Sequence, residues 1–210
     1  VSQLNIDIFR MINNLGKEYG FLNPAVILLA EYTLYVLCLG LAFYWFTRLR
    51  ENRLMVLNGM LAFVVAEVLG KVSGLIYSHN QPFAVLADVK QLVAHEIDNS
   101  FPSDHTILFF SISFSIWLVR KREGWLWLLL AIAVGLSRIW VGVHYPVDIL
   151  VAAVYGMGAA LIVHWVSPRL AFVGKMLFFY EKQESALLPR AKDRLQGFLV
   201  KMNGYWQQFW

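Results

Sequence analysis

The chain has 210 residues, of which 59% are hydrophobic and 15% charged, with a formal net charge of +4 and a mean hydropathy of +0.56. That apolar share exceeds the ~45–50% usual in soluble domains and is gathered into long blocks, which excludes an ordinary soluble domain and points to an integral membrane protein. The one cysteine, Cys38, excludes a disulfide framework and a thiolate metal site.

In chain order, Leu4, Ile8, Met11, Ile12 and Leu15 recur at helical spacing, and Gly16 follows as a helix stop. Residues 1–16 are therefore predicted as an amphipathic helix lying in the membrane surface. No cleavable signal is expected, because a basic region followed by an apolar core is missing at the start. Residues 24–46 form the first predicted span and contain Glu31. A loop with Arg48, Arg50 and Arg53 follows, then a second span over 54–77 in which Glu67 and Lys71 stand one turn apart and can pair. The connection 78–101 is polar. A third span is predicted over 103–119, ended by Arg120-Lys121-Arg122 and Gly124, and a fourth over 125–143. Pro146 suits the first turn of a fifth, which runs to 166. The predicted fold is thus an all-α polytopic membrane helix bundle of about five spans in a single domain, 1–210. Residues 171–210 read as a basic amphipathic tail, with Leu195, Phe198, Leu199, Met202, Tyr205, Trp206 and Phe209 on one stripe and Lys192, Arg194 and Lys201 around it.

Lysine and arginine crowd the loops after spans one, three and five and are sparse after two and four. The positive-inside rule then puts the C-terminus and its tail in the cytoplasm and the N-terminus outside. By parity Lys71, Ser103, Asp104, His105, Arg138 and Asp148 all fall on the extracytoplasmic face.

Two clusters interrupt the apolar pattern, Phe101-Pro102-Ser103-Asp104-His105 and Ser137-Arg138 with His144 and Asp148. An arginine or aspartate near mid-membrane costs about 2.5–3.5 kcal/mol on insertion scales, so such residues are read first as functional. Ser103 or Asp104 at a helix start offers backbone amides and a dipole suited to phosphate, or else a plain cap. His105, one residue inside, can donate a proton to a leaving oxygen. Arg138 carries a planar fork of donors for phosphate oxygens, with a snorkelling anchor as the plainer reading. His144 and Asp148 are four residues apart, so the carboxylate can hold one imidazole nitrogen and leave the other as nucleophile or base. A zinc site built from His105, His144, Asp104 and Asp148 is the rival. Lys71 and Arg138 in the same pocket would repel a dication and favour an anion.

These residues together resemble the type 2 phosphatidic acid phosphatase (PAP2) superfamily. Its pattern is a lysine with a downstream Arg-Pro, a Pro-Ser-Gly-His block, and Ser-Arg followed by His and then Asp. The third block matches in full and the second at three of four positions. Asn80-Gln81-Pro82 stands where the family has Arg-Pro, and Asp104 where it has glycine. Both departures look like the bacterial undecaprenyl-diphosphate phosphatases of the bacitracin-resistance type.

The resemblance implies a PAP2/haloperoxidase-like core in the bacterial cytoplasmic membrane, with the active site facing outside. The implied reaction is hydrolysis of undecaprenyl diphosphate to the monophosphate and inorganic phosphate, which supports carrier-lipid recycling for peptidoglycan synthesis. His144 would be the nucleophile, Asp148 its orienting carboxylate and His105 the general acid and base. Lys71, Ser103 and Arg138 would bind phosphoryl oxygens, Gln81 would replace the lost arginine as a neutral donor, and Asp104 would contact the bridging region. No metal or other cofactor is implied. The expected partners are a polyprenyl diphosphate and membrane lipids, with no nucleic acid, and a homodimer is compatible with the chain. Phosphatidic acid or phosphatidylglycerol phosphate is the alternative substrate. A non-enzymatic phospholipid carrier, with Glu31, Glu67 and His164 on a proton route, is a reading of another class.

Overall fold

The computed structural model describes residues 1–170 and 172–185. The chain divides into two compact units, Val1–Ser167 and Pro168–Trp210. In the second unit, residues 172–185 are helical. The amphipathic stripe expected from Leu195 to Phe209 lies outside the described residues.

The first unit is built from eight α-helices in this order: α1 (Gln3–Glu18), α2 (Asn23–Glu31), α3 (Thr33–Phe46), α4 (Arg50–Ile76), α5 (Pro82–Val85), α6 (Asp104–Val119), α7 (Lys121–Trp140) and α8 (Pro146–Val166). No strand occurs among the described residues. The centre is α6, which packs against α4, α7 and α8. Its sequence is apolar all round, which is the pattern of an interior helix, and Ile107, Phe109, Phe110, Ile112 and Ile116 are buried together with Thr106, Ser111, Ser113 and Ser115. Helix α8 meets it at close range. A Cβ added at Gly156 would sit 2.9 Å from the Ser111 amide nitrogen and 3.0 Å from the Ile107 carbonyl oxygen, so the approach requires glycine. On the outside of α4, Val64, Val68, Leu69, Val72, Leu75 and Ile76 are exposed, an apolar strip suited to lipid.

Among the described residues three helices are long and apolar enough to cross a membrane: Arg50–Ile76, Lys121–Trp140 and Pro146–Arg169. The first predicted span is broken at Tyr32. Gly20–Glu31 and Thr33–Phe46 are long and apolar enough only together and are bent by 45°, the geometry of a broken span or a re-entrant loop. The third predicted span, α6, has only 16 residues. At 1.5 Å per residue it rises about 24 Å, short of a ~30 Å hydrocarbon core.

The corner between α6 and α7 is tighter than expected, because Arg120 donates to Glu123 at 2.6 and 2.9 Å and to Asn52 at 3.1 Å. Helix α7 therefore starts at Lys121, and Gly124 lies inside it rather than breaking the chain.

Helix α1 spends one face on the protein. Asn5, Phe9 and Asn13 are buried. The Asn13 amide donates to the Trp140 carbonyl at 2.8 Å and the Lys90 carbonyl at 2.9 Å, and its oxygen accepts from the Lys90 amide at 2.9 Å. Asn5 accepts from the Val147 amide at 3.0 Å. The helix expected only at the membrane surface thus fastens the turn between α7 and α8 to the connection 78–101.

Candidate active site

The site is assembled around that turn. Helix α7 ends at Trp140, and Gly142 takes φ +90°, a left-handed value that favours glycine. The reversal lets the Arg138 carbonyl accept from the amides of Val143 and His144, at 3.2 and 3.3 Å. Arg138 and His144 are therefore fixed to each other through backbone before any side-chain contact is made.

The Arg138 side chain is buried, only 1% exposed, which removes the snorkelling reading. Its Nη1 donates to the Ala30 carbonyl at 3.2 Å and to Glu31 Oε1 at 3.3 Å. Both acceptors come from the end of α2, where the first span breaks. Nε of Arg138 is buried without a partner. An unpaired guanidinium N–H in a buried pocket is a donor waiting for an oxygen anion.

Asp148, fully buried in the first turn of α8, serves several donors at once. Oδ2 accepts from the Tyr145 amide at 2.8 Å and from the Ser100 hydroxyl at 2.7 Å, and Oδ1 lies 3.0 Å from His79 Nε2. His144 Nδ1 is 3.7 Å from Oδ2, beyond hydrogen-bond range. It lies instead 3.0 Å from the Ser100 carbonyl. A carbonyl only accepts, so Nδ1 carries the proton and Nε2 is left as the free base. The direct Asp148–His144 hydrogen bond expected from their spacing is thus replaced by one to the Ser100 backbone, with the carboxylate behind it. Burial holds His144 below its ordinary pKa of 6.5.

The opposite wall is the start of α6. Ser103 is buried, and its oxygen accepts from the Thr106 hydroxyl at 3.1 Å, which leaves its own proton to donate. His105 is within electrostatic reach of Arg138, His144, His95 and Asp104. Asp104 receives the Lys71 ammonium at 2.9 Å, and Glu67 takes the same ammonium at 3.2 Å, the pairing expected from their spacing. A cavity of about 400 Å³ adjoins Lys71, lined by Gly70, Asp98, Asn99, Pro102 and Asp104 among others.

Gln81 does not take the place of an arginine in the pocket. It is fully buried, its oxygen accepts from the Asp98 amide at 3.1 Å, and its amide nitrogen donates to the Asp98 carboxylate. Both ends of the side chain are spent on the connection 78–101. Asp104 likewise is bound by Lys71 and is not a free group at the start of α6.

Glu31, His79, Ser100 and His95, whose ring centroid is 6.1 Å from that of His144, are the residues sequence reasoning did not bring to the site. Glu31 carried a signal as an acid within a predicted span, and His79 as the residue just before the anomalous Asn80-Gln81-Pro82. Among the described residues no group of three or more His, Cys, Asp or Glu side chains converges to hold a metal ion.

Fold and site together define a helical membrane protein in which Lys71, Arg138 and several histidines are grouped at the helix ends. Residues 54–171 match the family model described as PAP2 superfamily. The chain belongs to that superfamily. It is 57% identical over 200 residues to the bacitracin transport permease protein BcrC of Bacillus licheniformis, covering 94% of this chain and 98% of that one. It is 30% identical over 192 residues to the undecaprenyl-diphosphatase BcrC of Bacillus subtilis (strain 168), covering 91% and 99%. The crystal structure of Aquifex aeolicus LpxE superposes with a TM-score of 0.63 at 28% identity, covering 77% of this chain and 95% of that one.

Proposed function

We propose that the protein hydrolyses undecaprenyl diphosphate to undecaprenyl phosphate and inorganic phosphate at the outer face of a bacterial cytoplasmic membrane. The observation that carries this is the His144 ring, with Nδ1 bound to the Ser100 carbonyl and Nε2 free, on the same turn as the buried Arg138. The name of the Bacillus subtilis relative and the family membership support the same reading.

In this reading Nε2 of His144 attacks the terminal phosphorus and the bond to the bridging oxygen breaks. His105 gives its proton to that oxygen, which leaves as the lipid monophosphate. His105, now a base, takes a proton from water; the hydroxide attacks the phosphohistidine, and phosphate departs with restoration of His144. Arg138, Ser103 and Lys71 donate to the equatorial oxygens, where charge spreads in the transition state. Asp148 steadies the imidazolium. Lys71 reaches the phosphate only by exchanging a carboxylate partner for it.

The permease name of the Bacillus licheniformis relative favours a second reading, a lipid carrier without chemistry. A carrier has no use for an imidazole held in one tautomer beside a second histidine.

Phosphate release from undecaprenyl diphosphate by purified protein in detergent with excess chelator separates the two. Release by wild type and not by His144→Ala supports the phosphatase. Binding by both proteins with release by neither supports the carrier, and faster release from phosphatidic acid or phosphatidylglycerol phosphate reassigns the substrate.

A further inference from the structure

We infer that His79 is a positioning residue of the reaction, acting through Asp148 on His144; this rests on the hydrolase reading above. The carboxylate's one direct bond to an imidazole is to His79, at 3.0 Å, whereas His144 stands 3.7 Å away. His79 lies in the connection between α4 and α5, outside the matched motifs, yet its side chain is only 11% exposed.

Its placement is over-determined. The His79 amide donates to Asn99 Oδ1 at 3.2 Å, and its carbonyl accepts from the Ser100 amide at 2.8 Å. The ring stands edge-on to Tyr77 and Tyr145, with centroids at 5.3 and 5.2 Å, and tilted to Phe101 at 6.0 Å. Nε2 faces the carboxylate, and Nδ1 on the other side of the ring is buried with no hydrogen-bond partner. A histidine retained for packing alone has no reason to bury an unmet nitrogen. The ring's single hydrogen bond is the one to Asp148.

The consequence for His144 follows from how Asp148 is shared. His79 occupies Oδ1, so Oδ2 stays turned toward Ser100 and Tyr145. The Ser100 hydroxyl bonds that oxygen at 2.7 Å while the Ser100 carbonyl takes Nδ1 of His144 at 3.0 Å. His79 and Ser100, joined by their own backbone bond, thus hold the carboxylate and the nucleophile in one alignment. As the nitrogen–phosphorus bond forms, positive charge grows on the His144 ring and the carboxylate must already face it. A group that fixes the direction of Asp148 therefore acts on turnover, not on phosphate binding, which Lys71, Ser103 and Arg138 perform.

The test compares two amide variants of the full chain in detergent, with undecaprenyl diphosphate as substrate. Glutamine at 79 can put its amide nitrogen near the position of Nε2; asparagine is too short to reach Oδ1. His79→Asn is expected to lower kcat roughly 10- to 100-fold, in the range seen for supporting residues around a reactive centre, with KM within about twofold. His79→Gln is expected to stay within about fivefold of wild type. A wild-type kcat in His79→Asn, a loss confined to KM, or a His79→Gln no better than His79→Asn would each overturn the inference. Thermal unfolding in the same detergent shows whether each variant is folded. Should His79→Asn fail to fold, His79→Gln decides: more than tenfold loss of kcat in that folded variant overturns the inference, and less supports it. Wild type that releases no phosphate overturns the hydrolase reading instead, before any variant is compared.

Discussion

The two cations of the pocket are held in opposite ways. Arg138 is 1% exposed and is anchored partly to a backbone carbonyl, that of Ala30. The Lys71 side chain is 66% exposed and is held by two carboxylates, Asp104 at 2.9 Å and Glu67 at 3.2 Å. A buried guanidinium with fixed acceptors is part of the scaffold and, in the proposed reaction, would meet the phosphate where it stands. A largely exposed ammonium between two acids can leave them, since exposed pairs are worth only about 0–1 kcal/mol. One wall of the site is thus preorganised and the other is adjustable.

The sharpest break of this contrast is at the preorganised wall. His144→Ala is expected to lower phosphate release at least about 10³-fold, because it removes the proposed nucleophile; single-turnover assays with labelled substrate check this through loss of the proposed phosphoenzyme. Arg138→Lys is expected to cost about 10²-fold in kcat/KM, since an ammonium cannot span Ala30, Glu31 and a phosphate oxygen together. Lys71→Arg, on the adjustable wall, is expected to cost less than about tenfold in the same assay. Equal losses in these two substitutions would abolish the distinction. Asp104→Asn and Glu67→Gln are each expected to change KM by about two- to fivefold, because Lys71 keeps one acid in either case. The smallest effect is on pH. Burial holds His144 below 6.5, so its free base persists as pH falls, and the acid limb of kcat/KM due to this group is expected below pH 6.5.

Much of the bundle was legible because long apolar runs have only one stable use. Helices α4 and α8 fall within a few residues of their expected limits, and Pro146 opens α8 as its fixed φ suggests. The Glu67–Lys71 pair was legible for the same reason: helical spacing alone places them together. The break at Tyr32 was not, since apolar residues continue on both sides of it and hydropathy is blind to a bend. Nor was the contact between Arg138 and Glu31, because no local rule couples residues more than a hundred positions apart. The connection 78–101 carried the largest error. Composition marks it as polar surface, yet Gln81 and Ser100 are fully buried there, and His79 reaches the carboxylate. Loops that fold back onto a site obey the demand that every buried polar group find a partner, and that demand is only visible in three dimensions.

The shortness of α6 bears on how a lipid is processed. With 16 residues it rises about 24 Å, several ångströms short of the full hydrocarbon thickness, so with its far end at one interface its first turn, Ser103 and His105 would be recessed from the other. Each methylene lifted from hydrocarbon into water costs about 0.8 kcal/mol. A catalytic mouth at the water's edge would force that expense on the first isoprene units of any polyprenyl substrate. In the proposed reaction a recessed mouth would move the requirement to the other end of the molecule: the charged head would descend to meet Arg138 and His144, and the tail would stay in the phase in which it is dissolved.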